Sequence, residues 1–119
     1  MRALVVDDSA VMRKVLIGAL SRAGISEVDQ AGNGREAVDA VGKGAYDIIL
    51  MDWNMPEMPG IDAVKAIRTS GVSTPIVMVT TEAEKGRVVE AIRSGAQNYV
   101  IKPFDPETIV GKIRDVLGK

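Results

Sequence analysis

The chain has 119 residues, which suits one domain built around one core. Hydrophobic residues make up 46% and charged residues 26%, which argues against disorder, and a formal net charge of −1 excludes strong sequence-independent attraction to nucleic acid. The absence of Cys and His removes disulfides, thiolate chemistry, His-based triads and the usual zinc sites, so any chemistry must run on carboxylates, hydroxyls, Lys, Arg and backbone groups.

Short apolar runs alternate with longer amphipathic ones. Leu4-Val5-Val6 predicts a strand buried on both faces. That run is too short for a secretory signal and ends at two aspartates, and no stretch approaches bilayer length. A cytoplasmic protein without a membrane partner is therefore expected. Val11, Met12, Val15, Leu16, Ala19, Leu20 and Ala23 recur at helical spacing, with Gly24 at the stop position. A weak second strand is placed near Glu27 to Ala31. Asn33 can cap a helix whose inner face carries Ala37, Val38 and Val41.

Ile48-Ile49-Leu50-Met51 predicts the third strand. The loop from Asp52 to Gly60 contains prolines that forbid a continuous helix, and Ile61, Val64 and Ile67 mark the helix after it. Ile76-Val77-Met78-Val79 is a β-rich run. Thr81-Glu82-Ala83-Glu84 has capping-box spacing, so the fourth helix is expected to begin there and reach about Ser94. Gly86 then falls in its first turn, either loosening that end or permitting close packing. Tyr99-Val100-Ile101 predicts the last strand. Asp105 and Pro106 open the last helix, whose buried face carries Ile109, Val110, Ile113, Val116 and Leu117. Gly18 and Gly111 fall inside predicted helices, where they imply close packing or a tolerated cost.

Five successive β-then-α units imply an α/β fold, a doubly wound parallel sheet with helices on both faces. A single domain spanning 1–119, with no effector domain, is expected. Four apolar strands end in polar residues: Asp7-Asp8, Asp52, Thr80 and Lys102. In a parallel sheet all strand C-termini share one edge, and ligand sites form there where strand order switches. Each residue also has an ordinary explanation: Asp8 or Ser9 as a helix cap, Asp52 as a turn residue, Thr80 as a strand residue, Lys102 as an exposed lysine. Together, three clustered acids need a cation or strongly shifted pKa values. An all-oxygen set suits Mg²⁺. A carboxylate in such a site can attack phosphorus and form an acyl phosphate, with Lys102 neutralising phosphoryl charge and Thr80 hydrogen-bonding it. No protein general base is required, because a carboxylate is already ionised at neutral pH.

These residues resemble the receiver domain of bacterial response regulators over essentially the whole chain. The acidic pair Asp7-Asp8, Asp52, Thr80 and Lys102-Pro103 stand in the family's order and approximate spacing. Asp52-Trp53-Asn54-Met55-Pro56, Glu82 two places after Thr80, and Tyr99 three places before Lys102 make the chain most similar to the family's stand-alone chemotaxis regulators. Thr81 departs from the pattern, which more often has a small residue there.

The resemblance implies a flavodoxin-like (βα)5 fold with strand order 2-1-3-4-5. It implies Mg²⁺ held by Asp8, Asp52 and the backbone carbonyl of Asn54, with Asp7 acting directly or through water. Asp52 is expected to be the phosphoacceptor, with a sensor histidine kinase as donor, and Thr80 and Tyr99 the switch pair. Output is expected through the fourth helix, fifth strand and fifth helix, where Lys85, Arg87, Glu90, Arg93, Tyr99 and Lys112 form a candidate docking face. The Lys102-Pro103 bond is expected to be cis. A flagellar motor switch protein and a phosphatase are the expected further partners of a monomer that catalyses only its own phosphorylation and dephosphorylation. A phosphorelay intermediate remains an alternative role. A flavin-binding protein would want a Gly, Ser or Thr loop after the first strand rather than Asp7-Asp8. A haloacid-dehalogenase-type phosphatase would want its acids one residue apart there.

Overall fold

The computed structural model describes residues 1–118. Its elements run β1 (Arg2–Val6), α1 (Ala10–Arg22), β2 (Glu27–Ala31), α2 (Gly34–Lys43), β3 (Ile48–Met51), α3 (Gly60–Thr69), β4 (Ile76–Thr80), α4 (Lys85–Ser94), β5 (Asn98–Ile101) and α5 (Pro106–Leu117). All strand pairings are parallel, in the order β2-β1-β3-β4-β5. This is the flavodoxin-like arrangement expected from the resemblance.

The central strands β1, β3 and β4 are apolar on both faces because helices cover both. Val5, Leu50, Val77 and Val79 pack with Leu16 and Leu20 of α1 and Ile109 and Ile113 of α5. Leu4, Val6, Ile49, Met51, Ile76 and Met78 face the other way, against Ala37 of α2, Ile61, Val64 and Ile67 of α3, and Ala91 of α4. Side-chain alternation thus divides one sheet between two cores. Among the described residues no helix is long and apolar enough to cross a membrane.

The caps explain most helix boundaries. Ser9, not Asp8, caps α1 by accepting from the Met12 N–H at 3.2 Å. Asn33 accepts from the Glu36 N–H at 2.9 Å, and Asp105 accepts from the Thr108 N–H at 2.9 Å ahead of Pro106. Two expectations need correcting. Val11 and Val15 are exposed rather than buried, because α1 presents to the sheet a narrower face than its apolar stripe. Helix α4 begins at Lys85 rather than near Thr81. Residues 81–84 are diverted by other partners: the Glu82 N–H donates to the Thr80 hydroxyl at 3.3 Å, and the Glu82 carbonyl accepts from the Tyr99 hydroxyl at 2.7 Å.

Gly86 lies in the first turn of α4, and a Cβ there would meet nothing within 4 Å. Close packing is therefore not its role, and the same holds for Gly18 and Gly111. Gly86→Ala is expected to raise stability by roughly 0.4–1 kcal/mol, mainly by narrowing the unfolded ensemble. A urea titration showing no gain, or a loss, would contradict this.

Candidate functional site

Sheet register delivers the site. Val6 pairs with Met51, and the Asp52 N–H donates to the Val6 carbonyl at 2.9 Å, so Asp7 and Asp52 leave adjacent strands side by side. Strand order reverses at this point, where ligand sites form in doubly wound sheets. Across β4, the Lys102 N–H donates to the Thr80 carbonyl at 2.8 Å. The Lys102-Pro103 bond is cis, as expected.

Asp7, Asp8 and Asp52 each offer a carboxylate oxygen, and these atoms lie within 4.8 Å of one another. Asp7 and Asp52 are buried, whereas Asp8 is exposed. Asp7 accepts from the Ser9 N–H at 2.9 Å and, through its other oxygen, from Lys102 Nζ at 2.7 Å. Asp52 accepts from the Trp53 N–H at 2.7 Å and faces Lys102 Nζ at 3.3 Å. One ammonium thus bridges two buried carboxylates, and three acids against one lysine leave the cluster with excess negative charge.

Burial pushes the Asp52 carboxyl above the ordinary carboxylate range. Lys102 pulls it back, Asp7 raises it further, and the Thr80 hydroxyl and Trp53 N–H favour the ionised form. A cation beside Asp52 would oppose the effect of burial. The all-carboxylate donor set fits a hard divalent ion.

Thr80 is fully buried at the end of β4. The loop after it couples the site to its surroundings. Tyr99 is tied to that loop through Glu82, and its hydroxyl pKa is pushed up to about 12 by burial first and then by the charges of Glu82 and Asp52. The Asn54 amide donates to Glu82 Oε1 at 3.0 Å, bridging the loops after β3 and β4. Lys85, Arg87 and Arg93 of the expected docking face are exposed, while Glu90, Tyr99 and Lys112 are half-buried.

Several site features escaped the sequence. The Arg87 guanidinium sits 5.3 Å from the centre of the buried Trp53 ring, linking α4 to the residue after Asp52. Gly60 closes the β3–α3 loop, its N–H donating to the Trp53 carbonyl at 2.8 Å. Arg13 reaches back from α1 to the Asp7 carbonyl. Only the Pro59-Gly60 dipeptide carried any local signal, and it marked a turn rather than a contact with Asp52. A groove of about 550 Å³ near β2 and α2, lined by residues such as Arg2, Asp29 and Tyr46, contains none of the site residues. Lys102 bridges Asp7 and Asp52 at the strand ends, away from that groove.

Three acids, a buried hydroxyl and a lysine thus meet at the switch point of a parallel five-stranded sheet. Residues 3–114 match the response regulator receiver domain, and the chain belongs to that family. Its relatives include a chemotaxis protein CheY homolog of Campylobacter jejuni, 43% identical over 99% of this chain and 93% of that protein. CheY1 of Helicobacter pylori is 42% identical over 99% of this chain and 98% of that protein. Among solved structures, CheY4 of Vibrio cholerae is 40% identical, covers 98% of both chains and superposes with a TM-score of 0.89. The Francisella response regulator 1452 receiver domain, 26% identical over 98% of this chain and 96% of that one, gives a TM-score of 0.90.

Proposed function

We propose that this protein is a phosphorylation-activated switch of a two-component system in which Asp52 accepts a phosphoryl group from a histidine kinase. The observation that carries this reading is the convergence of Asp7, Asp8 and Asp52 within 4.8 Å, with Lys102 Nζ bridging the two buried acids. Asp7, Asp8, Asp52 and the Asn54 carbonyl would hold Mg²⁺, which supplies charge neutralisation for the phosphoryl oxygens. An Asp52 oxygen forms the new O–P bond as the donor's N–P bond breaks, and the imidazole leaves with the electron pair. Lys102 then exchanges its carboxylate partners for a phosphoryl oxygen, and Thr80 turns its hydroxyl toward another.

That turn would withdraw the Thr80 hydroxyl from the Glu82 N–H, loosening a loop already tied to Tyr99 and Asn54. The change would pass to the surface of α4, β5 and α5. Kinship with CheY proteins favours a cytoplasmic, monomeric, single-domain chemotaxis regulator. Its target would be a flagellar motor switch protein and its signal would be ended by a phosphatase. It would act only on its own aspartate, with no separate substrate turned over. A phosphorelay intermediate would carry the same chemistry without the motor target.

Trp53, the only tryptophan, lies next to the acceptor and reports on it. Mg²⁺ is expected to change its fluorescence, and acetyl phosphate to add one phosphoryl group in intact-mass spectra. Asp52→Asn should abolish the mass gain and Asp62→Asn, on the exposed face of α3, should retain it. A wild-type chain that shows neither response would end this reading.

A further inference from the structure

Asp7 and Asp52 are each held through both carboxylate oxygens, by Lys102 and by backbone N–H groups. Asp8 is different. Among the described residues no hydrogen bond or ion pair reaches its carboxylate, although one of its oxygens belongs to the acidic cluster. Its placement therefore depends on the backbone from Asp7 to Ser9.

Besides the Ser9 N–H bond to Asp7 Oδ1 and the helical Arg13 N–H bond to the Ser9 carbonyl, that backbone has few ties. The Asp7 N–H donates to the Ala31 carbonyl at 3.1 Å, the last bond toward β2. Ser9 caps α1. The Asp7 carbonyl, which forms the peptide leading to Asp8, lies beyond the sheet pairing and accepts from Arg13 Nη1 at 2.7 Å. The same guanidinium donates through Nε to Gln30 Oε1 on β2 at 2.9 Å. Arg13 thus joins the first turn of α1, the end of β1 and the edge strand through one planar fork. An ammonium could not make both bonds with that geometry.

We propose that Arg13 is a positioning residue for divalent-cation binding: by fixing the Asp7–Asp8 peptide it aims the Asp8 carboxylate into the cluster. The inference rests on the reading that these acids hold Mg²⁺. Partners behind a metal ligand usually contribute tenfold or more to affinity by orienting it. A purely structural Arg13 would act whether or not Asp8 carried a charge. A positioning Arg13 acts through Asp8, so the two substitutions must be non-additive.

The test is Mg²⁺ titration, read by calorimetry and Trp53 fluorescence, on wild type, Arg13→Met, Arg13→Lys, Asp8→Asn and the Asp8→Asn/Arg13→Met double variant. Arg13→Met is expected to weaken binding about tenfold, with Arg13→Lys recovering part of the loss. In the Asp8→Asn background Arg13→Met should change Kd by less than about twofold. Wild-type affinity in Arg13→Met, or an undiminished loss in the Asp8→Asn background, overturns the inference while leaving the Mg²⁺ site intact. A wild-type chain that binds no Mg²⁺ removes the site reading and this inference together. If circular dichroism shows Arg13→Met unfolded, Gln30→Ala at the exposed end of the clasp replaces it. Its expected loss is about threefold, with the same dependence on Asp8.

Discussion

Gly60→Ala is expected to remove roughly 3 kcal/mol or more of stability and to abolish phosphoryl uptake at Asp52, although the change adds one methyl group. A Cβ at Gly60 would lie 1.8 Å from the Asp52 carbonyl oxygen, 2.8 Å from its carbon and 3.1 Å from the Met51 side chain. The nearest obstacles are backbone atoms at the end of a central strand, so no rotamer change relieves the clash. The Gly60 N–H also donates to the Trp53 carbonyl at 2.8 Å, which pins the start of α3 over the Asp52–Trp53 peptide. Either α3 or the Asp52 carbonyl must shift by about an ångström or more, and the second movement displaces the carboxylate. Urea unfolding should show a lower midpoint at unchanged m-value. The expectation would be wrong if the variant unfolds at the wild-type midpoint. Gly86→Ala, with open space around it, is expected to move stability the other way, so the pair separates steric exclusion from helix propensity.

Lys102→Met should destabilise the metal-free protein by about 3 kcal/mol at neutral pH, because it leaves two buried carboxylates without their shared ammonium. The lysine side chain is 13% exposed, and those of Asp7 and Asp52 are 1% and 8% exposed. Methionine keeps most of the stem, so lost packing contributes little. The pH dependence distinguishes a charge effect from a packing effect. Burial already raises the Asp52 pKa in the folded chain, and Lys102 is the strongest influence pulling it down. Without Lys102 the folded pKa rises further above the unfolded value. Between those two values the native state binds more protons, so stability falls as pH rises. The deficit of Lys102→Met should therefore be small in acid and widen toward neutral pH. Mg²⁺ should narrow it again, since a cation that binds only the folded state stabilises it. Denaturation curves at several pH values, with and without Mg²⁺, would reveal the pattern; a deficit independent of both would show that Lys102 matters only for packing. Phosphoryl uptake should also fall sharply, because Lys102 is the ammonium available to the transferring group.

Both effects act on Asp52, and they differ in how far the sequence foretold them. The convergence of Lys102 on the acids followed from its place after an apolar strand in a chain whose other strands end in Asp7, Asp52 and Thr80. The role of Gly60 did not, because nothing local to Pro59-Gly60 says that a strand-end carbonyl passes within contact distance. The fourth helix shows the same boundary from another side. Thr81 to Glu84 carry a valid local capping pattern, yet the helix starts at Lys85 because Thr80, Asn54 and Tyr99 claim Glu82 first. Val11 and Val15 repeat the lesson on α1, where helical periodicity marked an apolar stripe but the sheet covered only part of it.

By itself the sequence determined the alternation of strands and helices, most helix caps and the residues that end the strands. These follow from periodicities and short-range hydrogen bonds within a few residues. Parallel order then placed the polar strand ends on one edge, which is why the convergence of Asp7, Asp8, Asp52 and Lys102 was readable in advance. The tertiary structure alone decided the distances among them, the lysine bridge between Asp7 and Asp52, the closeness of Gly60 to the Asp52 carbonyl, and the reach of Arg13 to the peptide that carries Asp8. Those contacts join residues far apart in the chain or on different elements. Their energies depend on burial and register, which exist only once the sheet has closed around its two cores.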